Sequence, residues 1–135
     1  LVLGTLHSNN ANQTLERIMN FFPQEYHREL LLQLSLNLRA IISQRLVRKI
    51  TGGRTAVFEI LLNTPYVSEL IQHGQVSKIK EVMAAGGQEG LRTFDQDLYN
   101  LWEQGVISEE EAFRHADSAN NLRLRMKGIG AARSA

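Results

Sequence analysis

One histidine of this sequence stands where α/β proteins often place a ligand-binding group. His7 follows the apolar run Val2–Leu6, which is typical of a β-strand, and precedes Ser8, Asn9 and Asn10, which favour turns and helix caps. Groups at the carboxyl ends of strands commonly contact ligands, and an imidazole can donate a hydrogen bond or gain a positive charge. From the residues alone, His7 is either a ligand-binding group or a histidine that stabilises a turn.

Most other residue patterns that support catalysis are missing from the sequence. It contains neither a G-x-x-x-x-G-K-[ST] phosphate loop nor a G-x-S-x-G nucleophile turn. His27, His73 and His115 are too far apart for a ligand pair at i, i+4 spacing, and the chain has no cysteine. The sequence therefore predicts no metal site.

The composition predicts one compact domain. The chain has 135 residues, of which 43% are hydrophobic, and this is enough to build one apolar core. The absence of cysteine suits a reducing, cytosolic compartment, and no apolar run approaches the roughly 20 residues that span a bilayer. The sequence starts without methionine or a targeting signal, which indicates the middle of a longer protein.

Charge is distributed unevenly along the chain. All 14 acidic residues precede residue 120, whereas four of the 15 basic residues follow it, which gives the body a charge of −3 (11 minus 14) and the tail a charge of +4. The basic residues of the tail are Arg123, Arg125, Lys127 and Arg133. Such a tail is either a solvated end or a contact for anionic lipid, nucleic acid or an acidic neighbour.

The first part of the chain predicts two helices. A helix that starts at Ala11 is amphipathic and ends at Pro23. The second helix, over Gln24–Leu38, carries leucines around most of its circumference. That pattern indicates burial on more than one side, or packing against another subunit.

A β-hairpin is predicted next. Strands over Arg39–Ile50 and Arg54–Leu62 are joined through Gly52 and Gly53, which permit the positive φ of a hairpin turn. Cations on the hairpin could bind phosphates, but such residues are usually solvated or protect strand edges. They are Arg45, Arg48, Lys49 and Arg54. Direct nucleic-acid binding is not expected, because no aromatic residues are interleaved with them.

Short helices separated by glycines follow the hairpin. They are predicted at Pro65–Gln72, Val76–Ala85, Phe94–Gln104, Ser108–Ala116 and Ser118–Met126. Ser108 and Glu111 fit a capping box, and the end of the chain from Gly128 is expected to fray. The sequence thus predicts an α/β region at 1–63, a helical subdomain at 64–126 and a flexible basic tail at 127–135.

Several blocks of the sequence resemble those of the secretion and type IV pilus ATPases. Gly4–Ala11 resembles the histidine box G-T-L-H-[ST]-x-x-A, and Thr14–Ile18 resembles the T-[IL]-x-R-[IV] element that follows it. Gln44–Val47 resembles the Q-R-L-V strand of the superfamily, and Glu59–Pro65 resembles its E-[IV]-x-x-x-[TS]-P stretch. The blocks lie in the order of the family, and the resemblance covers residues 1 to about 126.

Later blocks point to the retraction branch of this superfamily. Val67–Ile71 falls where the branch carries A-I-R-N-L-I-R-E, although Ser68-Glu69 and Gln72-His73 replace its Arg-Asn and Arg-Glu pairs. The stretches Thr93–Leu98 and Ala116–Leu124 look closer to the PilU type than to the PilT type.

The resemblance implies a fold and a set of site residues. The fold would be the C-terminal part of a RecA-like P-loop ATPase core, followed by a helical subdomain. In the family, the phosphate loop, the Asp box and the Walker B glutamate precede the histidine box, so ATP and Mg²⁺ would bind to the full-length protein, and this chain would be inactive alone. The resemblance implies a catalytic, nucleotide-sensing role for His7, with Thr5 beside it at the nucleotide. The implied coupling and interface residues are Arg17, Ser68, Glu69 and Gln72, the last three on an exposed face.

The resemblance also implies an assembly and its partners. These are a cytoplasmic homo-hexamer at the inner face of the inner membrane, associated with the membrane only peripherally, a platform protein and, for the PilU type, a PilT-type motor. Pilus retraction and twitching motility would be the outcome. The residues alone leave a second reading open: a non-catalytic helical module that binds a partner helix through Leu30–Leu38.

Overall fold

A computed structural model describes residues 1–85 and 90–128 of the chain. The elements are α1 (Ala11–Asn20), α2 (His27–Asn37), β1 (Ala40–Arg48), β2 (Arg54–Leu62), α3 (Pro65–Gln72), α4 (Ile79–Ala84), α5 (Phe94–Glu103), α6 (Glu109–His115) and α7 (Ala119–Met126). One 3₁₀ turn precedes α2 and another precedes α4. The predicted helices and the hairpin are confirmed, with small shifts at their ends. The prediction for the end of the chain falls mostly outside the described residues.

The strand predicted over Val2–Leu6 is wrong for this chain. Residues 1–8 adopt neither helix nor strand, and the side chains of Leu1, Val2 and Leu3 are exposed. A β-strand needs a neighbour that completes its hydrogen-bond ladder. In the described ranges, β1 and β2 form a two-stranded sheet with each other, and the apolar run has no strand beside it. His7 therefore lies in an irregular segment rather than at the end of a strand.

The starts of five helices are fixed by polar caps. Thr93 and Gln96 form a complete capping box at α5, in which each side chain accepts the backbone N–H of the other. At α6 the predicted box is only half formed: the Ser108 hydroxyl accepts the Glu111 N–H at 3.1 Å, but the Glu111 carboxylate binds another group. The other caps are Asn10, Thr64 and Ser118.

The hairpin turn has the predicted backbone geometry. Gly52 and Gly53 have φ values of 90° and 73°, a region that residues with a side chain rarely adopt. The Lys49 N–H donates to the Gly53 carbonyl at 3.1 Å and closes the turn. The glycine pair is therefore required by the turn itself.

The chain divides into two compact units. The first, unit 1, comprises Leu1–Ser43 and Glu59–Arg92, and unit 2 comprises Gln44–Phe58 and Thr93–Ala135. The division passes through both strands of the hairpin, whereas the sequence placed a boundary between residues 63 and 64. That boundary, which concerns the subdomains of a longer protein, stays a prediction.

Unit 1 contains a core built from α1, α3, α4 and the open end of the hairpin. Its buried residues include Leu15, Leu61, Ile71 and Ile79, each 0% exposed. Helix α2 contributes less, because its leucines pack only partly against this core, while Leu32 and Leu36 stay exposed. The prediction that α2 is buried on more than one side is wrong within this chain. The alternative, packing against another subunit, stays a prediction.

Unit 2 packs α5, α6 and α7 around the turn end of the hairpin. Val47 and Val57 from the strands meet Phe94 and Leu98 of α5 and Leu122 of α7, and all five are buried. No helix in residues 1–85 and 90–128 combines the length and hydropathy that crossing a membrane requires.

A buried carboxylate joins the hairpin to α6 in unit 2. Glu111 accepts the backbone N–H of Arg48 at 2.8 Å, and the side chains of Arg114 and His115 lie 3.4 and 3.2 Å from it. The N–H of Arg48 contributes most to lowering the pKa of Glu111 below its ordinary value of 4.5. The charges of His115 and Arg114 act in the same direction, while burial opposes them.

Unit 2 is therefore expected to be sensitive to acid through Glu111. A lowered pKa in the folded state adds stability above the ordinary value of 4.5, and this stability is lost as the pH falls toward the lowered value. Thermal unfolding measured between about pH 6 and about pH 3 should therefore show a falling midpoint in the parent chain and a smaller fall in Glu111→Gln. Glu110→Gln is the control, since the Glu110 side chain is 84% exposed. Equal acid sensitivity in the parent and Glu111→Gln would contradict this role.

Candidate functional site

The segment around His7 is a turn held to the start of α1. The Ser8 N–H donates to the Leu6 carbonyl at 3.1 Å, and the Ser8 and Thr14 hydroxyls are 2.6 Å apart. Asn10 caps α1 by accepting the Gln13 N–H at 2.9 Å. Hydrogen bonds on both sides of Asn9 thus set the path of the chain from His7 into the helix.

The N-terminus of α1 is also held from β2. The Ala11 N–H donates to Oε1 of Glu59 at 2.8 Å, and Glu59 is 2% exposed. A helix N-terminus carries partial positive charge, so a carboxylate there is stabilised by the dipole as well as by the hydrogen bond. The start of α1 is therefore fixed to the sheet by a buried hydrogen bond to a side chain of β2.

Thr5 and His7 lie on the outside of this turn. Both side chains are exposed, and neither has a hydrogen bond or ion pair within residues 1–85 and 90–128. An exposed hydroxyl and an exposed imidazole can both donate to a phosphate oxygen. The structure thus leaves these two side chains available to a ligand, and their predicted role at a nucleotide stays a prediction.

The other predicted coupling residues lie on two helices of unit 1. Arg17 is exposed near the end of α1. On α3, Val67, Leu70 and Ile71 are buried, as predicted, while Glu69 and Gln72 are exposed.

Ser68 corrects one part of this prediction. It was placed on the exposed face of α3, but it is only half exposed, and its hydroxyl donates to the Ser35 carbonyl of α2 at 2.7 Å. The residue therefore ties α3 to α2 within the chain. The surface of α3 that a neighbour could reach is formed by Glu69 and Gln72.

A groove runs beside this surface. Its volume is about 550 Å³, and Gln72 and His73 of α3 line it together with Leu32 of α2. Charged side chains of both signs complete the lining: Glu25, Arg28 and Glu29. The exposed Leu32 is thus the apolar member of a mostly polar lining.

The hairpin cations do not form one patch. Arg45 faces the interior of unit 2: its guanidinium lies 2.8 Å from the Asp117 carboxylate, donates to the His115 carbonyl at 2.8 Å and stacks 3.8 Å from the centre of the Phe94 ring. The reading of Arg45 as solvated or edge-protecting is wrong. Arg48, Lys49 and Arg54 have no ion pair in the described ranges, in agreement with that reading.

Residues that the sequence did not single out for a role hold these elements in place. Glu59 was noted as part of a motif without a role, and Asp97 of α5 is its counterpart, since its Oδ2 accepts the Phe58 N–H at 2.8 Å. The sequence did contain a signal for these two residues: each is an acidic residue within an apolar strand or helix face, where a buried carboxylate needs a hydrogen-bond partner. Nothing in the sequence identified those partners. Within the described residues, no group of three or more histidines and acids is arranged to hold a metal ion.

Two stretches that the sequence assigned to the PilU type are in contact. The carboxylate of Asp95, in Thr93–Leu98, accepts the N–H groups of Asp117 and Ser118 at 2.7 and 3.0 Å. Asp117 and Ser118 belong to Ala116–Leu124, so the two stretches form one hydrogen-bonded corner before α7.

Comparison with known sequences finds one family model and several curated relatives that resemble this chain. Residues 1–52 match the family described as type II/IV secretion system protein. The chain is 53% identical over 128 residues to the type IV pilus ATPase PilU of Pseudomonas aeruginosa PAO1, and 38% identical over 122 residues to the type IV pilus retractation ATPase PilT of the same strain. These matches cover 94% and 90% of this chain but only 34% and 36% of the two relatives. The chain therefore spans about a third of the length of the curated relatives it matches.

A solved structure agrees with the sequence comparison. The structure described as the pilus retraction motor PilT with bound ADP superposes with a TM-score of 0.78 and 34% identity, over 89% of this chain and 33% of that chain. The predicted α/β fold is confirmed by this likeness. The identity to PilU is higher than that to PilT, as expected from the late stretches that look closer to the PilU type.

Proposed function

Since this chain is homologous over at least 90% of its length to the PilU and PilT ATPases of type IV pili, we propose that it is the sensing and coupling part of a pilus-retraction ATPase. The observation that carries the proposal is the turn that joins His7 to α1. It leaves the His7 side chain exposed, while Glu59 holds the first residue of α1 in place. The 53% identity to PilU supports assignment to that branch.

In this proposal, the described residues bind and orient rather than perform the hydrolysis alone. His7 and Thr5 donate hydrogen bonds to the γ-phosphate region of ATP. When the γ-phosphate is lost, the displacement of His7 is transmitted to α1 through the hydrogen bond between Ser8 and Thr14. The phosphate loop and the carboxylate that orients the attacking water come from the remainder of the full-length protein. Mg²⁺, when bound there, supplies charge neutralisation at the phosphates.

The proposal includes the assembly implied by the family. The full-length protein forms a homo-hexamer in the cytoplasm at the inner face of the inner membrane, where it acts with a PilT-type motor on the pilus platform protein. Arg17, Glu69 and Gln72 are the exposed residues proposed to couple nucleotide state to a neighbour, and twitching motility is the outcome.

A comparison of ATP hydrolysis by two proteins tests this function. The full-length protein should hydrolyse ATP in a Mg²⁺-dependent reaction, and residues 1–135 alone should not, because they lack a phosphate loop. Circular dichroism of residues 1–135 is the control that the chain is folded. Mg²⁺-dependent hydrolysis by the 135 residues alone, or its absence from the full-length protein under conditions of assembly, would refute the proposal.

A second candidate is a non-catalytic helical interaction module. It is favoured by one observation, the exposure of Leu32 and Leu36 one turn apart on α2. The same ATPase comparison separates the two functions. Under the second candidate, the protein that contains this chain has no phosphate loop upstream and no ATPase activity.

A further inference from the structure

Glu59 and the start of α1 are far apart in sequence and in direct contact in the fold. The Ala11 N–H reaches the Glu59 carboxylate across 48 positions of sequence, at 2.8 Å. Ala11 is 1% exposed and Glu59 is 2% exposed, so solvent does not compete for this hydrogen bond. The contact therefore holds the first residue of α1 at a fixed place beside β2.

Only three residues separate this contact from His7. All three take part in local hydrogen bonds. The Ser8 hydroxyl bonds to the Thr14 hydroxyl, and the Asn10 side chain accepts the Gln13 N–H. The third, Asn9, donates its N–H to the Gln13 side chain at 3.2 Å. A shift of the α1 start would therefore move the whole turn that carries His7.

We propose that Glu59 is the positioning residue of the histidine box, holding His7 at the nucleotide through the N-terminus of α1 without itself touching the nucleotide. This inference rests on the proposed function of His7. It adds a second element to the site, since the position of His7 is then set by β2, the strand that leads directly into α3.

The chain offers a matched control that contacts the same strand. Asp97 is also buried, at 7% exposed, and also accepts one backbone N–H of β2, that of Phe58, at 2.8 Å. It belongs to unit 2, whereas Glu59 and the histidine box belong to unit 1. Removal of either carboxylate thus leaves a backbone N–H without this acceptor, that of Ala11 in α1 for Glu59 and that of Phe58 in β2 for Asp97.

The test uses the full-length protein with Glu59→Ala, Glu59→Gln and Asp97→Ala. Glu59→Ala should lower kcat for ATP hydrolysis by on the order of 10- to 100-fold, with a much smaller change in KM, because misplacing a group that acts in the transition state costs turnover. Glu59→Gln should restore most of the activity, since its amide oxygen can accept the same N–H. Asp97→Ala should lower the melting temperature about as much as Glu59→Ala does. It should leave kcat within about twofold, since it disturbs no group that acts in the transition state.

A second variant breaks the same contact from the α1 side. Ala11→Pro deletes the donor N–H without changing residue 59, and its ring carbon displaces the Glu59 carboxylate from the helix start, while the helix backbone tolerates proline at its first position. Asn10 already has the extended backbone, with φ −161° and ψ 175°, that a following proline requires. This variant should lower kcat as Glu59→Ala does.

The outcomes separate this inference from the function on which it rests. Equal losses of kcat in Glu59→Ala and Asp97→Ala, or normal kcat in a folded Ala11→Pro, would overturn the positioning role. If His7→Ala lowers kcat and Glu59→Ala does not, the positioning role fails while the proposed function stands. If His7→Ala itself has no effect, the proposed function of His7 fails first. A loss of kcat in the His7→Ala, Glu59→Ala double variant that is smaller than the two single losses combined would show that Glu59 acts through His7.

Discussion

Replacing His7 with alanine in the full-length protein is expected to lower ATP turnover by on the order of 100-fold, which is the loss seen when one preorganised donor to a transition-state oxygen is removed. The fold should be unaffected, because His7 is exposed and makes no hydrogen bond or ion pair within the described residues. The expected signature is a fall in kcat at unchanged melting temperature and unchanged oligomeric state. Steady-state kinetics and gel filtration measure these quantities.

His27→Ala is the matched control for this experiment. His27 lies at the start of α2, and its ring contacts the Phe22 carbonyl at 2.9 Å, so it is engaged in the structure and removed from the histidine box in sequence. Turnover should be preserved in His27→Ala. A His7→Ala protein with the parent ATPase rate would show that the histidine only stabilises a turn.

Replacing Arg45 with alanine is expected to destabilise the chain by about 2–4 kcal/mol, because it removes the guanidinium that pairs with the largely buried carboxylate of Asp117. The Arg45 and Asp117 side chains are only 24% and 13% exposed, and the guanidinium also binds the His115 carbonyl and the Phe94 ring. The free energy of unfolding, measured with urea on the 135-residue chain, gives the loss directly.

Two further variants show which property of Arg45 matters. Arg45→Lys keeps the charge but not the planar fork that binds two groups and stacks on a ring, so it should recover only part of the loss. Arg54→Ala removes an exposed cation of the same hairpin and should change stability by less than about 0.5 kcal/mol. Similar losses in Arg45→Ala and Arg54→Ala would contradict the structural role of Arg45.

The sequence predicted most elements because their signals are local. Asn10, Thr64 and Thr93 cap helices within three residues of themselves, and Gly52 and Gly53 define a turn without reference to any other segment. The strand at Val2–Leu6 was predicted from the same kind of local pattern. It failed because a strand also depends on a neighbour, which a single apolar run does not specify.

The supports of the candidate site could not be predicted in the same way. The sequence singled out His7 as a candidate because its motif is continuous. In contrast, the donor to Glu59 lies 48 residues away, and the His115 carbonyl that binds Arg45 lies 70 residues away. Residue type indicates that a buried charge needs a partner, but not which one. Ser68 shows the same limit. A polar residue on a helix is predicted to be exposed, and the sequence does not show that its hydroxyl donates to a carbonyl of α2.

The division of the hairpin between the two units has a genetic consequence. Each unit is encoded by two separated stretches, since residues 44–58 of unit 2 interrupt unit 1, and residues 59–92 of unit 1 interrupt unit 2. A single crossover or truncation within residues 44–92 therefore divides both units. We expect the gene segment that encodes residues 44–92 to be exchanged as a whole, with viable recombination points outside it.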